Sequence, residues 1–315
     1  MKAGDRYGPD EIRARIPHRG RNLVLDDVEF LEEGGALKVR SSIRIAPGDT
    51  GGRDLFLQTA GGGSVYSEFV LVEHMALTSS VHIAPFMAGG GIAFFSTITG
   101  FEGGRTIPAG EQVEALIESL GRKGPFHRSA CRITSGGPSG GEIRTELMAA
   151  VVFPGEGSRE EGEKKTVAIP EVRDPRPVDR SRFAFKKPSM VFLDEETALD
   201  RESHTLTARY RYPVDHPFVA GHFPGNPVMM GVSQWAGMLD GALWLLHRLG
   251  KPPGLYRAEG EILRADGALV TEVKGLEFQT DGTGNAPRLL RTKRIGFRGM
   301  VRAGEEIFYR IRLRP

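Results

Sequence analysis

The sequence has a single cysteine, Cys131, so an intrachain disulfide and a thiolate metal cluster are both excluded, and a reducing, cytoplasmic setting is expected. No CxxC pair and no Cys/His cluster at metal-ligand spacing occurs. Neither charge sign is in excess, with 42 Lys+Arg against 40 Asp+Glu and no dense cationic block, so nucleic acid is not an expected partner. No uninterrupted apolar run approaches the ~18 residues that a membrane span needs, and the opening MKAGDRYGPDEIRARIP lacks the apolar core of a signal peptide. No membrane insertion is expected. Glycine is plentiful at 42 residues, yet it is scattered through turns, and neither GxGxxG nor GxxxxGK[ST] is present.

What is present fits two domains. At 315 residues the chain is about twice the length at which one core is comfortable. The stretch between Pro154 and Arg182 is charged, rich in Pro and Gly and poor in aromatics, which is linker composition. The expected division is residues 1–155, a linker at 156–180, and residues 181–315. Each half has one long apolar segment that reads as a helix. FVLVEHMALTSSVHIAPF (69–86) is apolar nearly all round and should be buried, and GVSQWAGMLDGALWLLHRLG (231–250) ends in a Gly-then-Pro exit. Strand candidates follow each helix. They are GIAFFSTITGF, EQVEALIESL, FHRSACRITS and IRTELMAAVVF in the first half, and YRAEGEILRA, ALVTEVKGLEF, LLRTKRIGFRG and EEIFYRIRL in the second. The expected class is α+β, each half an antiparallel sheet wrapped round a long central helix.

The most informative segment is HPFVAGHFPGNPVMMGVSQWAGM (216–238), a loop rich in aromatics, Pro and Gly that presents His222 just before a buried helix. GHFPGNPVMMG resembles the signature of β-hydroxyacyl-acyl carrier protein dehydratases. IPHRGRNLVLDD (16–27) and TIPAGEQVEALI (106–117) resemble two further segments of that family. The resemblance implies a hot-dog fold in each half, hence a double hot dog packed as the pseudo-symmetric equivalent of a family dimer, with further oligomerisation left open. It also implies a base at the loop histidine and an acid fourteen positions later in the helix of the other hot dog. Fourteen past His222 is Ala236, which has no proton to give. VLVEHMAL (70–77) resembles the family's helix segment and places Glu73 at the acid position, but fourteen before it stands Thr59. The two defects are complementary: His222 and Glu73 are expected to form one live composite site, with Thr59 and Ala236 marking a dead one.

Removing water from a β-hydroxyacyl thioester takes a base for the Cα proton and an acid for the departing hydroxyl. Neutral imidazole, with an ordinary pKa of ~6.5, suits the first role. A carboxyl suits the second if burial keeps it protonated, and Glu73 stands among Val70, Leu71, Val72, Met75, Ala76 and Leu77. Gly231, opening the second helix, is the expected donor to the thioester oxygen. The expected function is a dehydratase acting on acyl thioesters carried by acyl carrier protein or CoA, with no metal or redox cofactor. Isomerisation or hydration by the same pair, and a catalytically silent acyl-binding protein, are the alternatives. His74 and His82 read as packing residues. Trp235, Trp244, Met229, Met230 and Met238 read as core before tunnel lining, and Arg19, Arg21, Arg294 and Arg298 as solvated surface before carrier docking. Two departures stand out: Leu77 occupies a position where the family often has Gln, and the segments after the second helix are in altered order or interrupted by an insertion.

Overall fold

The computed structural model describes residues 1–136, 142–153, 166–169, 172, 175–282 and 284–314. The first half contributes β1 (Arg6–Tyr7), helix α1 (Pro9–Arg13), β2 (Asp27–Glu33), β3 (Ala36–Arg44) and a separate ribbon of β4 (Leu57–Ala60) and β5 (Gly63–Tyr66). Then come the long helix α2 (Glu68–Ile83) and β6 (Ile92–Glu102), β7 (Gln112–Lys123), β8 (Phe126–Ser135) and β9 (Glu142–Val152). The second half contributes β10 (Arg176–Pro177), β11 (Glu195–Asp200), β12 (Thr205–Arg211) and the long helix α3 (Gly231–Arg248). It ends with β13 (Gly254–Arg264), β14 (Leu269–Thr280), β15 (Arg288–Phe297) and β16 (Glu306–Arg314).

Alternation builds the strands. In β9 the side chains of Ile143, Thr145, Leu147, Ala149 and Val151 are buried, and in β16 those of Ile307, Tyr309, Ile311 and Leu313 are, while the residues between them lie on the other face, where Phe308 alone is also buried. All the main strands join one antiparallel sheet in the order β1-β2-β3-β7-β8-β9-β6-β15-β14-β13-β16-β12-β11-β10. The halves meet where β6 pairs with β15, Ile98 opposite Ile295 and Thr99 opposite Arg294. Each half wraps its own helix, giving a fused double hot dog in which α2 and α3 pack against one another.

The helices are defined by their ends. Ser67 caps α2 by accepting a hydrogen bond from the Val70 N–H at 3.3 Å. At the end of α3, Gly250 takes φ of +64° and Lys251 N–H returns to the Leu246 carbonyl at 3.0 Å, a left-handed exit that suits glycine. The stretch Glu68–Met87 has the length and apolarity of a membrane span, but 78% of that window is buried inside the fold, which accounts for its composition.

The altered segment order after α3 has a definite form. From the centre outward the first half runs β6, β9, β8, β7, β3, and the second runs β15, β14, β13, β16, β12. The hairpin β13–β14 therefore stands where β8–β9 stands in the first half, and β16 pairs with β12 as β7 pairs with β3. The same ladder is built from a cyclically shifted sequence. Most of the linker expected at 156–180 lies outside the described residues. In its described part the Val167 N–H donates to the Gly267 carbonyl at 2.9 Å, Val167 and Ile169 pack on Leu263, Leu269 and Phe308, and β10 pairs with β11.

Candidate active site

His222 sits in a loop that the first half of the chain holds in place. Arg19 N–H donates to the Gly221 carbonyl at 3.1 Å, and the Asn22 side-chain amide donates to the Phe218 carbonyl at 3.3 Å. Gly221 is required by this contact, because a Cβ there would stand 2.2 Å from the Arg19 carbonyl oxygen and 2.6 Å from Asn22 Oδ1. Phe218 stacks on Phe56, with ring centroids 4.9 Å apart. The loop closes on itself through Val228 N–H to the His222 carbonyl at 2.8 Å. His222 Nδ1 lies 2.9 Å from the Val228 carbonyl oxygen. A carbonyl only accepts, so Nδ1 carries the proton and Nε2 keeps its lone pair.

Glu73 comes from the other half, in the middle of α2. It is 6% exposed, and among the described residues neither a hydrogen bond nor an ion pair reaches its carboxyl. Burial alone pushes its pKa up to about 8, so the group is protonated at neutral pH. Burial lowers that of His222 to about 4, with the Val228 hydrogen bond opposing, so the imidazole is neutral there. The two stand in one cavity of about 1030 Å³, walled by Leu77, Phe94, Phe95, Leu147, Val151 and Phe297 among others. One ligand-capable atom from each of His222, Glu73 and His18 lies within 4.8 Å of the other two.

His18 is the residue that the spacing argument misses. It is buried, its ring centroid is 5.0 Å from that of His222 and 4.9 Å from that of Phe223, and its Nδ1 has no hydrogen-bond partner. Desolvation, then the neighbouring His222 and Arg19, hold its pKa well below the usual histidine range. The signal was in the sequence, since His18 stands in the IPHRGRN segment that meets the GHFPG loop.

Gly231 also lines the cavity, as the first residue of α3. Among the described residues its N–H has no acceptor, as expected for the first turn of a helix. A Cβ on it would stand 2.9 Å from the Phe297 ring, so glycine there also admits that ring. Thr59 and Ala236 are not in this cavity: Thr59 is exposed on β4 and Ala236 is buried on α3. Asp240 is likewise elsewhere, ion-paired with buried Lys186 and accepting from Phe192 N–H at 2.9 Å. A second buried carboxyl, Glu68, has its pKa raised to about 7 by burial, but it accepts from Leu289 N–H at 3.2 Å and joins α2 to β15 outside the cavity.

The other residues singled out from sequence separate cleanly. Met229 and Arg298 line the cavity. Trp235 is core, edge-on to Phe69 and Phe101, and Trp244 donates to Glu196 at 2.9 Å. His74 is fully buried with its Nε2 2.8 Å from Ser41 Oγ. Gln234, not singled out, lines the cavity and receives the Thr271 hydroxyl on its side-chain oxygen.

No family model and no curated protein matches the sequence. Among solved structures, the chain is similar to the dehydratase domain of RzxB from Pseudomonas fluorescens at 12% identity, over 92% of this chain and 99% of that one, with a TM-score of 0.47. It is similar to the dehydratase domain of a mycocerosic acid synthase-like polyketide synthase at 9% identity, over 87% and 96%, with a TM-score of 0.49. A third likeness is to the dehydratase domain from the terminal module of the rifamycin polyketide synthase, at 12% identity, over 89% and 97%, with a TM-score of 0.45.

Proposed function

We propose that the chain is a β-hydroxyacyl thioester dehydratase with one composite site, His222 as base and Glu73 as acid. The observation that supports the reading is that both side chains line one cavity, His222 with its Nδ1 bonded to the Val228 carbonyl and its Nε2 free, and Glu73 with burial favouring its protonated form. His222 Nε2 takes the Cα proton of the substrate. The electron pair forms the Cα–Cβ double bond, and the β-hydroxyl leaves as water with the proton that Glu73 supplies. Negative charge gathers on the thioester oxygen as the Cα proton departs, and the free Gly231 N–H at the start of α3 is the donor assigned to it. The acyl chain lies along the apolar wall formed by Phe94, Phe95, Leu147 and Val151. The acyl group is carried by acyl carrier protein or by CoA.

The direct test is enoyl thioester formation by the purified chain from β-hydroxyacyl thioesters of several lengths on both carriers. Turnover is expected from the wild type, with losses of about a hundredfold or more in His222→Ala and Glu73→Gln, the usual scale for a general acid or base. Absence of turnover with every thioester would favour an acyl-binding protein, and near-normal rates in either variant would remove that residue from the mechanism.

A further inference from the structure

We propose that His18, Glu73 and His222 together form a binding site for one divalent transition-metal ion of zinc's class. Dehydration needs only two of these residues, yet three converge. One ligand-capable atom from each lies within 4.8 Å of the other two, and each side chain arrives from a different segment of the chain: the N-terminal loop, α2 and the loop before α3. His18 and Glu73 are buried, and among the described residues the His18 Nδ1 is a buried polar atom with no hydrogen-bond partner. Buried polar atoms without partners are uncommon and ask for a ligand. Two imidazoles and a carboxylate are the donor set of many three-ligand zinc sites, in which water or substrate takes the fourth position, and here all three residues line one cavity.

The donor types select the ion. Imidazole nitrogen favours zinc, cobalt, nickel and copper, whereas magnesium and calcium take oxygen sets. His222 already makes the outer hydrogen bond that orients a metal-bound histidine, from Nδ1 to the Val228 carbonyl at 2.9 Å. With metal–ligand bonds of about 2.1 Å, tetrahedral ligand atoms stand about 3.4 Å apart, so each pair needs to close by at most about 1.5 Å. Among the described residues no lysine or arginine pairs with Glu73, so no resident cation competes for the carboxylate.

An ion held there takes the His222 lone pair and the Glu73 oxygen, so an occupied site is a stopped dehydratase. That consequence rests on the proposed function, but binding itself does not. The test is calorimetric titration of the chelator-stripped full chain with zinc chloride alone, with magnesium chloride as control and cobalt(II) visible absorption as a geometric signature. One zinc per chain at micromolar affinity or tighter is expected, with no heat from magnesium and an intense tetrahedral cobalt band. His18→Gln and His222→Ala should each weaken zinc binding by about a hundredfold or more, since outer-shell partners alone are worth ~10–100-fold. His247→Ala, an exposed histidine on α3 away from the cavity, should change nothing. Because a loop histidine is also a packing residue, X-ray absorption of the zinc-loaded wild type gives the ligand shell without any variant, and two imidazoles plus oxygen are expected. Absence of zinc heat, affinity untouched in both histidine variants, or a shell without imidazole would overturn the site. No thioester enters these measurements, so zinc binding without turnover would refute the dehydratase reading alone, and turnover without zinc binding would refute the metal site alone.

Discussion

Replacing Glu73 by Gln should stabilise the protein, and by an amount that depends on pH in a calculable way. The folded chain holds this carboxyl at a pKa of about 8 by burial alone, against an ordinary value of 4.5. A raised carboxyl pKa means that the folded state binds the proton more tightly than the unfolded state. Stability from this group is therefore fully present below pH 4.5, declines as pH rises, and levels off above pH 8. At 1.36 kcal/mol per pH unit, the interval from 4.5 to 7 corresponds to about 3 kcal/mol of destabilisation at neutral pH, and the change between pH 5 and pH 7 alone to about 2.5 kcal/mol. Glutamine is close in shape and does not titrate, so it removes this dependence. The buried histidines, whose lowered pKa values act in the opposite direction, are common to both proteins and cancel in the difference. Urea unfolding of wild type and Glu73→Gln at pH 5, 6 and 7 should show the variant's advantage widening by about 2.5 kcal/mol across that range. Parallel curves would mean that Glu73 is ionised in the folded protein, and the acid role would fall with it.

Three further outcomes follow from the same geometry. The pH profile of kcat/KM should be bell-shaped, falling on the acid side as His222 protonates near pH 4 and on the alkaline side as Glu73 ionises near pH 8, and a profile that still rises above pH 9 would show that turnover does not need a protonated Glu73. Gly221→Ala places a Cβ 2.2 Å from the Arg19 carbonyl, so it should cut turnover by about a hundredfold or more and lower the melting temperature, while wild-type turnover would show that the contact does not set the loop. Thr59→Ala should leave turnover within about twofold, since Thr59 is exposed on β4 and absent from the cavity; a large loss would mean that the halves have been paired wrongly.

The two long helices are legible in sequence because both are apolar over many residues, and α2 is apolar on nearly every face, which only a buried central helix can be. The eight strands after the helices are legible from alternation between Gly-rich turns. The strands before each helix are harder to read. β2 (DVEFLEE) and β11 (EETALD) are short and carry charge on the outward face, so their period is nearly hidden. Sequence indicates altered order after α3 but not its form, because alternation says which face of a strand is buried and not which strand lies beside it. Of the site, His222 and Glu73 are found by one offset applied to both halves. His18 is not, because it is 204 residues from His222 in the chain and is brought to it by tertiary contacts between the halves, the Arg19–Gly221 and Asn22–Phe218 hydrogen bonds among them.

The central claim is that His222 and Glu73, from different halves of the chain, act as one unit on one substrate. A double-mutant cycle on kcat/KM, with His222→Ala, Glu73→Gln and both together, measures this most directly. Residues that serve one step lose their effect together, so the double variant should be no slower than the worse single variant by more than about threefold. Losses that multiply across the two substitutions would contradict a single composite site.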